Sequence, residues 1–515
     1  MTVFKSAKPD VDIPDVSVTD FVLRHAAAKA EHVAFVEGMS GREVTYGALA
    51  AQIRAFAGGL QARGVGPGDT WALMAPNLPE YAVVFHGIAY AGATVTTLNP
   101  TYGAEEIAFQ LRDSKASAIV TVELFLETAK AAAAKVGIET IIVIGPGDAT
   151  PFTEIMGEPL VEQVPVDFAT HVVVLPYSSG TTGFPKGVML THRNLVANLC
   201  QSEPHLGMRG DDVVFAVLPF FHIYGMNVLM NLGLATGVKI VSLPRFDMVQ
   251  MLELTQSQRI TKLYLVPPIV LALAKHPVVE KFDLASVTDI FSGAAPLGGE
   301  LAEEAAKRVG CRVGQGYGMT ELSPVSHAIE GDDYKAGSVG TLLSRTEARI
   351  VDPETGQDVA ALGERGELWV RGPQVMQGYF GNAGATASTI DEEGWLHTGD
   401  VAIADEDGHF FIVDRLKELI KYKGFQVPPA ELEALIIQMP GVADVAVIGV
   451  PDDEAGELPK AFVVRAAGAD VTEDGVKDFV KGHVSTYKQV RIVEFIDAIP
   501  KSASGKILRR ELRDR

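Results

Sequence analysis

The sequence predicts an α/β fold: a large N-terminal domain of parallel αβαβα-type sheets plus a small β-barrel, then a small mobile C-terminal α+β domain. Three observations lead to this expectation for a chain of 515 residues. Short apolar runs alternate with amphipathic segments up to Gly310, which favours parallel sheets with helices on both faces. Beyond Gly310, short strands are separated by turn residues, which is typical of antiparallel structure. Lysines gather after Leu416, where the composition changes.

The expected helices and strands follow from the spacing of apolar residues and from the positions of helix- and strand-breaking residues. Apolar residues at helical spacing predict helices, and short apolar runs bounded by Gly, Pro or Asp predict strands. The expected helices span 17–28, 46–63, 78–91, 104–114, 224–235, 429–439 and 471–484. The expected strands include 70–74, 93–98, 118–122, 171–176, 213–218, 239–243, 442–450, 461–465 and 490–495.

The domain boundary is expected where the strand 410–414 ends. We therefore predict a large domain over 1–414, a hinge over 415–417 and an α+β domain over 418–515. A unit of about a hundred residues is within the usual size of a domain.

Composition and charge exclude several classes of function. The net charge of −21 argues against nucleic acid as a partner. Two cysteines are too few for a disulfide framework or a zinc site. The apolar stretch 213–244 is interrupted by Pro, His, Asn and Gly, so we expect a buried βαβ unit there and no membrane span. The first fifteen residues lack an apolar core, so we expect no signal peptide and a cytoplasmic protein, as a monomer or homodimer.

The stretch 177–187, Tyr-Ser-Ser-Gly-Thr-Thr-Gly-Phe-Pro-Lys-Gly, follows a buried strand. Its glycines permit close approach of the backbone, and its hydroxyls and N–H groups suit an anion. Lys186 adds a point charge suited to phosphate. Because Pro185 precedes the lysine and no hydroxyl follows it, the stretch is not a P-loop. A flexible Ser/Gly linker is the alternative to phosphate binding.

Three further stretches carry candidate chemistry, each with a plainer alternative. In 314–321, Tyr317 offers a face for a purine and Glu321 an oxygen ligand for Mg²⁺, although Gly-Tyr-Gly is often only a strand and turn. In 395–400, Asp400 suits ribose hydroxyls or an ordinary turn. Lys506 follows a small-residue loop, and taken alone it is a surface lysine.

Together these stretches resemble the adenylate-forming superfamily, and most of all its 4-coumarate–CoA ligase family. The segment 178–188 is similar to the first signature, with Phe184 in place of the usual leucine. Gly366–Gly372 is similar to the second signature, although the plant enzymes carry a cysteine-containing version that this chain does not have. The segment 414–427 is very close to the ligase hinge. The resemblance covers nearly the whole chain. It implies that 1–414 is an AMP-binding and acyl-binding domain and that the α+β domain over 418–515 is mobile.

The resemblance implies two half-reactions: a carboxylate and ATP give acyl-AMP and pyrophosphate, and coenzyme A then gives the thioester. It implies catalytic roles for Lys506, Lys421, Gln426, Thr182 and Glu321. The implied ATP and AMP ligands are Ser178, Ser179, Gly180, Thr181, Thr182, Lys186, Gln315, Gly316, Tyr317, Thr320, Asp400, Arg415, Lys417, Lys421 and Lys506. The implied CoA contacts are Arg245, Lys423 and Gly424, and the implied Mg²⁺ ligands are Thr182 and Glu321.

The resemblance also implies an acyl pocket of mainly small and apolar residues, which suits a flat aryl or alkyl acid. Its residues are His222, Ile223, Tyr224, Val228, Gly293, Ala294, Gly316, Pro324 and Val325. His222 is a gate or a core histidine, and Tyr224 a wall or core packing. Val228 stands where hydroxycinnamate ligases often have a small residue, which leaves cinnamate or a fatty acid open as substrate.

Other functions remain alternatives at this point. A medium- or long-chain fatty acid–CoA ligase shares every motif. An amino-acid adenylation domain needs an Asp in the pocket, and 221–226 contains none. A luciferase needs oxygen chemistry that no residue here demands. An acyl-AMP ligase for a carrier protein does not need the CoA contacts, and an inactive nucleotide sensor does not need Lys186, Glu321 and Lys506.

Overall fold

The computed structural model describes residues 3–178, 185–329, 331, 333–359, 361–423, 425–452, 454–502, 505–513 and 515. Strands within it form four sheets. Three sheets are built before residue 416, and the fourth is built after it.

The first sheet is parallel at its centre and antiparallel at the edge that carries the glycine-rich stretch. In spatial order its strands are Tyr177–Ser178, Lys186–Thr191, Val172–Leu175, Thr94–Thr97, Thr70–Met74, Ala118–Val122, Thr140–Ile144 and Thr150–Pro151. Gly378–Tyr379 adds a further strand beside Lys186–Thr191. The expected strands at 70–74, 93–98, 118–122 and 171–176 are confirmed within a residue or two.

The second sheet is also parallel at its centre. In spatial order its strands are Thr341–Leu342, Val325–Ala328, Arg312–Gly318, Asp289–Ser292, Lys262–Leu265, Val213–Ala216, Lys239–Ser242, Val33–Glu37 and Glu43–Thr45. Val213–Ala216 and Lys239–Ser242 pair in parallel, so the predicted βαβ unit is confirmed. The carboxyl ends of these strands carry the candidate adenosine and acyl residues.

Helices cover the two parallel sheets, and one continuous apolar core joins them. The helices of this part are Val18–Val22, Tyr46–Gln61, Pro79–Tyr90, Ala104–Asp113, Leu126–Val136, Phe152–Ile155, His192–Leu206, Leu232–Thr236, Met248–Gln258, Pro267–Lys275, Gly299–Val309 and Ala383–Thr389. Short 3₁₀ turns occur at Glu123–Phe125, Pro277–Lys281 and Thr320–Leu322.

The third sheet is antiparallel, as the turn-rich texture predicts. Its strand order is Phe4–Lys5, Glu347–Val351, Gly366–Arg371, Leu396–Ala404 and Phe410–Arg415, an open path in place of a closed barrel. The fourth sheet contains Phe425–Val427, Ile420–Tyr422, Gly456–Arg465, Val442–Asp452 and Ile492–Phe495. Helices Pro429–Ile436, Glu473–Lys481 and Arg509–Arg513, with the 3₁₀ turn Thr486–Lys488, accompany it.

Two helical predictions need correction. The helix expected over 17–28 ends after Val22, and a series of turns follows it. Lys29 anchors those turns, because its ammonium donates to the carbonyls of Gly210 (3.0 Å) and Gly237 (2.7 Å), contacts that local spacing does not reveal. The helix expected over 224–235 is a π-helix over Tyr224–Asn231 followed by the α-helix Leu232–Thr236. Turns of π geometry are rare in proteins overall, but where they occur they are often at functional sites.

Within the described ranges, none of the helices has the length and apolarity that crossing a membrane requires.

Candidate active site

Strand register brings Asp400 and Arg415 together at one corner of the site. They are partners across the antiparallel pair Leu396–Ala404 and Phe410–Arg415, and the Arg415 Nε lies 3.5 Å from the Asp400 Oδ1. The hydroxyl of Tyr317, from the second sheet, donates to the Asp400 Oδ2 at 2.6 Å. Tyr317, Asp400 and Arg415, which are predicted nucleotide residues from three separate stretches, therefore meet at the Asp400 carboxylate. Asp400 is only 8% exposed.

Burial raises the pKa of Asp400, while Arg415, Tyr317 and Lys506 oppose that rise. A buried carboxylate is stable only when donors surround it. The corner thus holds a carboxylate already oriented by neighbours, which suits recognition of vicinal hydroxyls such as those of ribose.

Glu367 holds the turn that presents Asp400. Its Oε1 accepts from the backbone N–H of Gly399 at 3.0 Å, and its Oε2 accepts from the Trp369 Nε1 at 2.9 Å. Gly399 has a φ of +71°, which favours glycine. In the sequence, the stretch Gly366–Gly372 stands out only for its family resemblance, and no local pattern predicts a role for Glu367. The signal that identifies Glu367 is tertiary: both its carboxylate oxygens have partners on or beside the Asp400 turn.

The predicted metal ligand Glu321 is buried, with 3% of its surface exposed. The hydroxyl of Tyr379 donates to the Glu321 Oε1 at 2.8 Å. The ammonium of Lys186 lies 4.2 Å from the centroid of the Tyr379 ring. Burial raises the pKa of Tyr379, with the negative charge of Glu321 adding to the effect, so its hydroxyl stays a donor. Tyr379 links two predicted residues and was not itself predicted.

The strand hairpin around the glycine-rich stretch is described only at its ends. Ser178 pairs with Lys186 across antiparallel strands, and both side chains are partly buried. The candidates Ser179, Gly180, Thr181 and Thr182 lie outside the described residues. The strand Lys186–Thr191 pairs in turn with the strand that carries Tyr379.

The strand Arg312–Gly318 carries Gln315, Gly316 and Tyr317 in alternation. The side chain of Gln315 accepts from the N–H of Leu297 (3.1 Å) and donates to its carbonyl (3.0 Å), so its amide fixes the neighbouring loop. A Cβ on Gly316 would lie 2.6 Å from the Phe291 ring, so this position excludes any side chain. Phe291 and the His327 carbonyl therefore pack directly against the backbone at Gly316. Thr320 follows in a short turn and is partly buried.

The predicted acyl residues line a second, apolar region. A Cβ on Gly293 would lie 2.9 Å from the Tyr224 ring, so that ring lies flat against the backbone there. The Tyr224 hydroxyl donates to the carbonyl of Phe291 at 3.3 Å. Ile223 and Val228 are each 1% exposed. Buried apolar side chains of this kind suit an apolar acyl group.

Two buried asparagines hold the backbone of this region. Asn198 bonds both the N–H (3.2 Å) and the carbonyl (2.7 Å) of Val325. Asn227 donates to the carbonyl of Ser323 at 2.7 Å, directly before Pro324. Ala294 adopts a φ of +69°, unusual for a residue with a side chain. The wall of this region is therefore set by long-range hydrogen bonds, and sequence reasoning missed both asparagines.

His222 is neutral. Burial, with the charge of Lys506 adding to it, lowers the pKa of His222 to about 3. Its Nδ1 accepts from the N–H of Tyr224 at 3.3 Å, so the proton of the neutral ring is on Nε2. His222 consequently offers one N–H donor between the acyl region and Lys506.

Lys506 lies within electrostatic reach of the groups already described. Its loop is closed by the bridge Lys501↔Ile507 and by a bond from the Ser502 N–H to the Lys506 carbonyl at 2.8 Å. A Cβ on Gly505 would lie 3.2 Å from the Val266 side chain, so the loop packs on the second sheet. Burial, then the charge of Arg415, lowers the pKa of Lys506, whereas Asp400, Glu321 and Glu418 oppose this.

The residues predicted for the thiol step are exposed on the fourth-sheet unit. Lys421 and Gln426 are cross-strand partners in the hairpin of Ile420–Tyr422 and Phe425–Val427. The ammonium of Lys423 pairs with Glu454 at 2.6 Å, inside the same unit. Gly424 lies outside the described residues. Lys417 and Arg245 are both exposed, so the structure gathers the adenylation residues and leaves these others on the surface.

Asp414, which sequence reasoning did not single out, connects the two parts of the chain. Its Oδ1 accepts from the N–H of Arg415 (2.7 Å), and its Oδ2 accepts from the N–H of Ala430 (2.8 Å) at the start of helix Pro429–Ile436. Arg509, three residues after Lys506, pairs with Glu418 (2.7 Å) and Glu433 (2.5 Å). Burial raises the pKa of Asp414 to about 6.

Comparisons with known proteins agree with this geometry. The model of the family described as AMP-binding enzyme matches residues 22–380, and that of the AMP-binding enzyme C-terminal domain matches residues 431–506. A relative named 4-coumarate–CoA ligase 1 from Petroselinum crispum is 45% identical, over 100% of this chain and 96% of its own length.

Two solved structures extend these similarities to three dimensions. An anthranilate CoA ligase, AuaEII, in complex with anthranoyl-AMP has a TM-score of 0.90 at 27% identity, covering 98% of both chains. ATP-bound MatB from Rhodopseudomonas palustris has a TM-score of 0.87 at 31% identity, covering 97% of this chain and 99% of its own.

Proposed function

This chain belongs to the AMP-binding enzyme family, and from that premise we propose that it is an ATP-dependent aryl acid–CoA ligase. The observation that supports this most is the meeting of Lys506 with the Asp400–Arg415 corner and Glu321 at one site. A cation delivered by the tail of the chain thereby faces the residues proposed to hold a nucleotide.

In the first step, a carboxylate oxygen of the acid attacks the α-phosphorus of ATP. The bond from that phosphorus to the bridging oxygen of pyrophosphate breaks, and acyl-AMP and pyrophosphate form. Both reactants are anions, so the protein must screen and align them. We assign this to Lys506 at the reacting groups, to Lys186 at the distal phosphates, and to Asp400 and Arg415 at the ribose.

The residues fit a divalent cation, because Glu321 offers a buried carboxylate already oriented by Tyr379. When bound, Mg²⁺ would neutralise phosphate charge through oxygen ligands. We propose Glu321 as its protein ligand here, with Thr182 as the second. His222 would donate its N–H to the acid or its adenylate on the side facing Lys506.

In the second step, the sulfur of CoA attacks the acyl carbon, the bond to AMP breaks, and the thiol proton is lost. We propose that the unit 418–515 rotates about Lys417 for this step, removing Lys506 and presenting Lys421, Lys423, Gly424 and Gln426. Lys421 and Lys423 are exposed, so no burial would have to be undone to present them. Arg245 would contact CoA.

We propose a cinnamate- or 4-coumarate-type acid as substrate. The apolar walls around Tyr224 and Val228 suit an aryl group. The full-length relatives named 4-coumarate–CoA ligase favour it over the fatty acid alternative. An acyl-AMP ligase or an inactive sensor is not supported by relatives of this kind.

CoA-dependent AMP release tests the proposal. Purified protein with ATP and Mg²⁺ is given cinnamate, 4-coumarate, benzoate or octanoate, with and without CoA. We expect AMP release with an aryl acid to require CoA, and Lys506→Ala to serve as the inactive control. Preference for octanoate would overturn the aryl assignment, and ATP–pyrophosphate exchange without any use of CoA would overturn the ligase assignment.

A cytoplasmic location and a monomeric or homodimeric state are part of the same proposal. Cell fractionation and sedimentation of the purified chain would test them directly.

A further inference from the structure

We propose that Tyr379 is a positioning residue that sets the metal carboxylate Glu321 and the phosphate lysine Lys186 relative to each other. The inference rests on the proposed function and names a residue that none of the candidate motifs contained. It assigns different tasks to the hydroxyl and to the ring of one side chain.

The two contacts use separate parts of Tyr379. The hydroxyl donates to the Glu321 Oε1 at 2.8 Å, and the ring faces the Lys186 ammonium at 4.2 Å from its centroid. Tyr379 is 6% exposed and Glu321 is 3% exposed, so water competes weakly for the first contact. The hydroxyl orients the Glu321 Oε1, and the proposed cation would bind at the Oε2.

The backbone around Tyr379 is held from two sides. Val188 is its cross-strand partner, and the Phe380 N–H donates to the Gly187 carbonyl at 2.8 Å. On the other side, the Tyr379 N–H donates to the Thr386 Oγ1 at 2.9 Å. These bonds attach the tyrosine to the strand that begins at Lys186. A shift of that strand would therefore move the ring, the hydroxyl and Glu321 together.

Glu321 itself is held by the same neighbourhood, because its backbone carbonyl accepts from the N–H of Met376 at 2.9 Å. The segment 376–380 thus contacts Glu321 through both backbone and side chain. It also contacts residues 187–189 of the strand Lys186–Thr191. We infer that this segment is the physical link between the metal side and the lysine side of the phosphate site.

The test separates hydroxyl from ring by calorimetric binding of ATP, without acid or CoA. Tyr379→Phe keeps the ring and loses the donor, so it should weaken MgATP binding by about tenfold while leaving binding of ATP in EDTA unchanged. Tyr379→Leu loses both, so it should also weaken binding of ATP in EDTA. The Mg²⁺ concentration giving half-maximal ATP–pyrophosphate exchange should rise in Tyr379→Phe, with a smaller effect on the plateau rate.

Glu321→Gln provides the coupling measurement. If the hydroxyl acts through Glu321, adding Tyr379→Phe to Glu321→Gln should cost far less than it costs alone. The matched control is Tyr46→Phe, since Tyr46 is also buried and its hydroxyl donates to the Val238 carbonyl at 2.7 Å. That control should leave both binding measurements unchanged.

A merely structural role would give another pattern. Equal losses with and without Mg²⁺ in Tyr379→Phe, or full additivity with Glu321→Gln, would overturn the inference. Unchanged binding in Tyr379→Phe would overturn it as well. If the wild-type chain failed to bind MgATP at all, the proposed function would fail first, so the two failures are distinguishable.

Discussion

The ribose corner and the Lys506 loop differ in how their charges are held. At the corner, the Asp400 carboxylate has a tyrosine donor at 2.6 Å and an arginine across a strand pair, and Glu367 fixes its turn. The ammonium of Lys506 instead enters on a loop that is closed by hydrogen bonds between Ser502 and Lys506, and burial lowers its pKa. The first arrangement is prepared by packing, whereas the second supplies a cation that substrate anions must stabilise.

This difference shows how one site can serve two reactions. Groups that both steps need are built into sheets, and a group that one step needs is carried by a separate unit. The arrangement of Lys506 beside the corner is the one suited to adenylation.

Lys506→Ala should reduce acyl-AMP formation by about a thousandfold, because it removes a positioned cation from the reacting groups. It should spare thioester formation from supplied acyl-AMP, since the corner remains intact. Single-turnover assays of the two half-reactions make the measurement. Equal loss of both steps would remove the distinction between the regions.

Gly424→Leu should do the reverse, lowering thioester formation from supplied acyl-AMP by about tenfold to a hundredfold. This prediction rests on the sequence resemblance, because Gly424 lies outside the described residues. Acyl-AMP formation should stay near the wild-type rate. A variant with normal thioester formation would show that Gly424 does not line the thiol path.

Glu367→Gln should raise the KM for ATP by about five- to tenfold, with a smaller change in kcat. Both oxygens of Glu367 accept hydrogen bonds from N–H groups. In glutamine, one of these oxygens is replaced by an NH₂ group, which would face an N–H donor. Glu354→Gln, at an exposed position, is the control. An unchanged KM would mean that the Asp400 turn does not depend on Glu367.

Lowering the pH should destabilise the N-terminal part of the chain, 1–414, before the unit 418–515. Burial lowers the pKa of His86, His192 and His327 to about 3 in the fold, whereas the unfolded value is 6.5. Between these values the unfolded state binds more protons, so stability falls as pH falls, by about 2 kcal/mol per histidine at pH 5. Asp414, with a pKa raised to about 6, acts in the opposite direction and offsets part of this loss.

Hydrogen exchange at pH 7 and pH 5 would locate the opening. Within 418–515 the histidine is His483, which is exposed, so that unit should change little. His483→Ala serves as the control and should leave the profile unchanged. The prediction would be contradicted if amides of 418–515 lost their protection at a higher pH than amides of the parallel sheets.

Local pattern predicted much of the fold because helix and strand periods are local properties. Strands at 70–74 and 118–122 and the helix from Tyr46 appear where spacing places them. The helix at Val18 stops at Val22, and Lys29 in the turns beyond it bonds to distant carbonyls. The π-helix at Tyr224 lies where spacing indicates an ordinary helix. Such departures depend on neighbours from other parts of the chain.

The sequence by itself determined the α/β architecture, the family resemblance and the types of residue available for phosphate, ribose and acid. Only the tertiary structure decided which of them touch: Tyr317 with Asp400, Tyr379 with Glu321, and Gln315 with Leu297. The physical reason is that a hydrogen bond depends on strand register and on side-chain direction across sheets. Residues 83 and 58 positions apart in the first two pairs carry no local signal of their contact.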